Sequence, residues 1–82
     1  MHMNKNEYVK NNKLKIKELE FIQELVKLRY TNNLSQRQLA DETGIKQPII
    51  ANLETGKHSP MLSTVFKILD IYGYDITIKK RH

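Results

Sequence analysis

The run from residue 34 to residue 60, LSQRQLADETGIKQPIIANLETGKHSP, marks the ends of two short helices and the tight turn between them. Ser35 stands where an N-cap is needed, and Gln38 three residues later completes a capping box. Leu39 and Ala40 give the first helix an apolar face, and Gly44 supplies a left-handed residue after Thr43. Ile45 is then expected to turn inward. The second helix is expected near Gln47, with Pro48 in its first turn, where a missing N–H costs nothing. Ile50 and Leu53 share the core side, whereas Gln47, Pro48, Ala51, Asn52 and Thr55 fall largely opposite. The exposed face is small, polar and uncharged apart from its flanks. A face of that kind fits a groove, and a unit this short must be buried by helices on either side.

Those helices are legible in the flanks. Leu19, Ile22, Leu25, Val26, Leu28 and the aliphatic stem of Arg29 follow three-and-four spacing and predict a helix over residues 16–31, with Lys17, Glu20, Phe21 and Glu24 on its wet side. Asn32 and Asn33 stop it, and Asn33 suits the left-handed conformation. A further helix follows Lys57-His58-Ser59-Pro60, with Leu62, Val65, Phe66, Ile68 and Leu69 making it apolar nearly all round, so one face is expected to meet another subunit. After Gly73 the pattern switches to period two, and residues 74–79 read as a lone strand. Its backbone needs a partner, and apart from Tyr8-Val9 the chain offers none, so antiparallel pairing with a second copy through Tyr74, Ile76 and Ile78 is expected. The predicted class is all-α: a compact four-to-five-helix domain over residues 16–73 and a short C-terminal dimerisation strand.

Residues 1–15 carry lysines and asparagines with few large apolar groups and read as a flexible basic arm, the first two being an expression scar. Residues 80–82 read as a tail. With 82 residues and no cysteine, the chain allows one modest core and neither a disulfide framework nor a zinc–thiolate site. An intracellular, cytoplasmic setting fits, and no apolar run reaches the length of a membrane span. The formal charge of +5 suits an anionic partner. The three histidines, at positions 2, 58 and 82, show no ligand spacing and no nucleophile–base arrangement, so neither enzyme chemistry nor a metal or cofactor is expected.

The stretch from Leu25 to Gly73 resembles the Xre-type helix-turn-helix domain of phage repressors, Cro and many bacterial antitoxins. Leu28-Arg29, Leu34-Ser35-Gln36, Leu39-Ala40, Gly44-Ile45, Gln47, Ile50, Leu53-Glu54, Gly56-Lys57, Pro60 and Lys67-Ile68 occupy the slots of that pattern. Lys46 and Pro48 depart from it: a capping serine or threonine is usual at the first, and a hydrogen-bonding residue at the second. The charged lead and the terminal Gly-Tyr-Asp-Ile-Thr-Ile-Lys segment look like the HigA and HipB antitoxins. That resemblance implies a dimer that represses its own operon and neutralises a toxin encoded beside it. A stand-alone phage-like repressor is the alternative within DNA binding, and a protein-interaction module with only non-specific DNA affinity is the alternative outside it. Because the net charge is positive, a basic toxin would need local acidic groups such as Glu18, Glu20 and Glu24, or apolar contacts.

The resemblance also implies roles. The second motif helix lies in the major groove of double-stranded operator DNA, and the first crosses the sugar-phosphate backbone. Gln47 matches the leading base-reading position and its amide suits adenine; Pro48 and Ile49 offer apolar surface to thymine methyl groups, and Asn52 reaches a second base or a phosphate. Gln36, at the start of the first motif helix, and Arg37 are expected to grip phosphate. Thr55, Lys57 and His58, with Lys46 by position and charge, form the other phosphate-gripping set. Arg29 and Glu54 match a pair that ties the first helix to the reading helix from behind.

Overall fold

The computed structural model describes residues 5–81 and contains four helices: α1 (Lys5–Thr31), α2 (Gln36–Thr43), α3 (Gln47–Thr55) and α4 (Leu62–Tyr72). α2 packs on α3 and α4, and α1 closes the unit by packing on the same two helices. The core is a single cluster. Ile22 and Leu25 enter it from α1, Leu39 and Ala40 from α2, Ile45 from the turn, Ile50 and Leu53 from α3, and Val65, Ile68 and Leu69 from α4. Leu39, Ile50 and Ile68 are its most deeply buried large side chains. The apolar spacing read along the chain therefore converges on one centre.

The helix ends follow local chemistry. Asn33 adopts φ +58° after α1, and the Leu34 N–H donates to Arg29 O at 3.1 Å. At the start of α2 the capping box is complete: Ser35 Oγ accepts from the Gln38 N–H at 3.0 Å, and Gln38 Oε1 accepts from the Ser35 N–H at 2.8 Å. Gly44 ends α2 at φ +76°. Gly56 ends α3 under two constraints, since its φ is +71° and a Cβ there would lie 2.5 Å from Leu19 Cδ2. Only glycine meets both without strain.

One expectation is corrected. The first helix does not start at Ile16 but runs back to Lys5, through most of the segment whose composition suggested an arm. That composition argues against packing, not against helix: lysine, glutamate and leucine are good helix formers, neither proline nor glycine interrupts them, and a packed half extends a helix easily. A Lys15–Glu18 ion pair of 2.9 Å, three residues apart, joins the end of this extension to the expected helix. Residues 1–4, which include the two read as an expression scar, and His82 lie outside the described residues.

Residues 74–81 form no strand within the single chain, and the ladder partner expected for them is a second copy. A strand exists only with a ladder partner, and Val9, part of the one internal candidate, is helical in α1. Among the described residues no helix is long and apolar enough to cross a membrane.

Candidate nucleic-acid interface

α3 presents the residues read as base contacts on its outer side. Gln47, Pro48, Ile49 and Asn52 are all exposed, Ile49 at 48%, while Ile50 and Leu53 anchor the opposite side in the core. Three elements brace this helix. Thr43 Oγ1 donates to Leu39 O at 2.7 Å and accepts from the Ile45 N–H at 3.2 Å, which fixes the turn. Lys46 enters α3 with extended dihedrals and no side-chain cap, its carbonyl accepting from the Ile49 and Ile50 N–H groups. The Gln47 N–H is left without a side-chain acceptor at a positive helix end, beside the exposed Lys46.

The third brace is ionic and lies behind the helix. Arg29, only 6% exposed, reaches Glu54 with two parallel hydrogen bonds: Nε to Oε2 at 2.7 Å and Nη2 to Oε1 at 2.8 Å. Its remaining Nη1 donates to Leu34 O at 2.9 Å. Gln36 Nε2 adds a bond to Glu54 Oε1 at 2.9 Å, so one carboxylate joins α1, α2 and α3. Burial pushes the Glu54 carboxyl up, but hydrogen bonds from Arg29 and Gln36 and the charge of Arg29 outweigh it and hold the group below the ordinary range. The hydrogen bond to Glu54 outweighs burial at Arg29 and holds its guanidinium charged well above its ordinary value. Both shifts favour the ionised form of the pair.

Gln36 is thus placed differently from the free phosphate ligand expected of it. Its side-chain amide is turned inward to Glu54 and the residue is half-buried. What α2 offers outward is backbone: the cap satisfies the Gln38 N–H, and Leu39 bonds to Ser35 O, which leaves the N–H groups of Gln36 and Arg37 as the open donors of this end among the described residues. Arg37 is exposed beside them. The amide-to-carboxylate bond escaped sequence reasoning because it joins residues 18 positions apart on different helices, and no local pattern marks it.

After α3 the chain is tightly held. Thr55 Oγ1 donates to Asn52 O at 2.6 Å and accepts from the Lys57 N–H at 3.3 Å, so its hydroxyl braces the turn. Lys57 and His58 are exposed on the loop that follows. Ser59 Oγ donates to Glu18 Oε2 at 2.6 Å, which ties that loop to α1. This bond and Lys15 draw the Glu18 carboxyl below its ordinary value. Glu18, read as an acidic contact for a partner, is engaged within the chain. A groove of about 270 Å³ borders α3, lined by Ile49, Asn52, His58, Pro60, Met61 and Thr64 among others. Met61 and Thr64 were not picked out from sequence, since nothing in their spacing relates them to α3.

Tyr74, Ile76 and Ile78 are also exposed but lie elsewhere: Tyr74 and Ile76 border an apolar groove with Phe21, Leu25, Leu28 and Leu69. The proposed base and phosphate residues are therefore gathered by α2, α3 and the following loop, and the C-terminal residues by α1 and α4.

Comparison with known proteins places the domain in a family. The HTH_3 family model, described as Helix-turn-helix, matches residues 25–79. An uncharacterized HTH-type transcriptional regulator of Haemophilus influenzae is 40% identical over 57 residues, covering 70% of this chain and 58% of its own length. The HTH-type transcriptional regulators PuuR of Escherichia coli and of Shigella flexneri are each 36% identical over 53 residues, covering 65% of this chain. The match spans only 29% of the length of each PuuR protein.

Proposed function

This chain belongs to the HTH_3 helix-turn-helix family, and from that premise we propose that it is a sequence-specific repressor that binds operator DNA as a homodimer. The observation that carries the reading is the α3 surface: an outward amide, two apolar side chains and a second amide, on a helix that a buried ion pair holds in one orientation. In the major groove Gln47 bonds the N7 and N6 edge of adenine, Pro48 and Ile49 lie against thymine methyl groups, and Asn52 reaches a neighbouring base or phosphate. The Gln36 and Arg37 N–H groups and the Arg37 side chain hold phosphate on one flank. Lys46, Lys57 and His58 hold it on the other, with Thr55 setting the turn that carries them.

The test is binding to the DNA upstream of the chain's own gene against scrambled DNA of equal length, at two salt concentrations. Preference of about a thousandfold is expected for a specific repressor. Equal, salt-sensitive binding to both would reduce the surface to a generic basic one and favour a protein-interaction module. The narrower reading, an antitoxin that also neutralises a toxin, rests on the likeness of the chain's two ends to HigA and HipB. Co-purification with the product of the adjacent gene tests it, and an operator served without any such partner would leave the plain repressor.

A further inference from the structure

Residues 74–81 leave the body of the domain with apolar side chains outward. Ile78 is 102% exposed, Ile76 40% and Tyr74 55%. Beside them is an apolar groove of about 400 Å³, walled by Phe21, Leu25 and Leu28 of α1, Leu69 of α4 and the segment from Tyr74 to Thr77. A fully exposed isoleucine and an unfilled apolar groove two residues away on the same segment are complementary, but one chain cannot bring them together. A two-fold axis can, because each copy then supplies what the other lacks.

Resting on the homodimer reading above, we infer that residues 74–79 pair antiparallel with a second copy in one register, with Thr77 opposite Thr77 of the partner subunit. Ile76 then faces the partner's Ile78, which enters the groove, and Asp75 faces the partner's Lys79; symmetry makes each of these pairs twice. Tyr74 meets the partner's Lys80, a cation over an aromatic ring. Cross-strand pairs of these kinds are what stabilise a sheet. Moving the axis to Ile76 sets Asp75 against threonine and loses both charge pairs. Moving it to Ile78 sets Ile76 against lysine. A slip by a single residue places each isoleucine opposite threonine or a charged residue. Among the described side chains the ion pairs are Lys15–Glu18 and Arg29–Glu54, and neither involves Asp75 or Lys79.

The test uses the full chain and sedimentation equilibrium. Asp75→Lys places lysine opposite lysine, and Lys79→Asp places aspartate opposite aspartate, so each variant alone is expected to dimerise about tenfold more weakly than the native chain. Mixed in equal amounts, the two variants form opposite-charge pairs at both positions, and the mixture is expected to regain native affinity as a heterodimer. A contact within one chain cannot produce that rescue. If the native chain dimerises and neither variant weakens it, the register is overturned while the dimer stands. If the native chain stays monomeric at concentrations that saturate DNA, both fall together.

Discussion

The surface made by α2 and α3 and the surface shared by α1, α4 and residues 74–81 are both open to solvent, for opposite reasons. On the first, the outward groups are polar or small, and what is buried behind α3 is a charge pair: Arg29, 6% exposed, bonded to Glu54. On the second, the outward groups are Phe21, Phe66, Tyr74, Ile76 and Ile78, and the groove beside them is walled mainly by Leu25, Leu28 and Leu69. Core apolar contacts alone would hold α3 against the domain. The bidentate Arg29–Glu54 pair adds direction, because a forked hydrogen bond tolerates little rotation. An interface that reads base edges needs such direction, whereas one that excludes water needs area and complementarity of shape.

The harshest way to break this contrast is to remove one partner of the pair. Arg29→Ala is expected to cost about 3 to 5 kcal/mol of folding stability, since it strands the Glu54 carboxylate in a largely buried site. Urea unfolding measures it, and a loss under about 1 kcal/mol would show the pair to be ornamental. The same carboxylate sets a pH dependence. Its folded pKa lies below the ordinary 4.5, so the unfolded chain takes up the proton first as the solution is acidified. Its contribution is therefore complete above about pH 4.5 and is lost as the pH falls through the folded value. Glu54→Gln should flatten that part of the stability profile.

A milder change separates reading from folding. Gln47→Ala is expected to leave the melting temperature unchanged, because the side chain is exposed, and to cost about 1 to 3 kcal/mol on the operator with relaxed preference at one base pair. Unchanged specificity would remove Gln47 as a reader. Gly56→Ala tests the end of the same helix. Left-handed backbone alone costs a non-glycine residue about 1 to 2 kcal/mol, and Leu19 must also swing aside. A neutral Gly56→Ala variant would mean the α3 terminus relaxes freely. The smallest effect is expected at Lys57→Ala, which should weaken operator and random DNA alike and reduce the salt slope by about 0.9.

How much of this was legible in the chain depends on how far apart the interacting groups lie. The Ser35–Gln38 cap, the left-handed Asn33 and Gly44, and the inward Ile45 and Ile50 were all readable, because each is set within about one helical turn by its own neighbours. The start of α1 was not legible, because the lysine-rich lead lacks the apolar period that marks a packed helix and yet continues the helix without one. The inward amide of Gln36 and the Ser59–Glu18 bond were not readable at all: they join residues 18 and 41 positions apart.

By itself, then, the sequence determined the ends of the two motif helices, most of the membership of the core and the polar character of the α3 face. Propensity, capping and apolar period act over a few residues and need no fold to be read. Tertiary structure alone decided which side chains lend their hydrogen bonds inward, as Gln36 does, and which apolar groups remain uncovered, as Ile78 does. Such partners are chosen by how helices converge in space, and that convergence is a property of the whole core, written in no single segment.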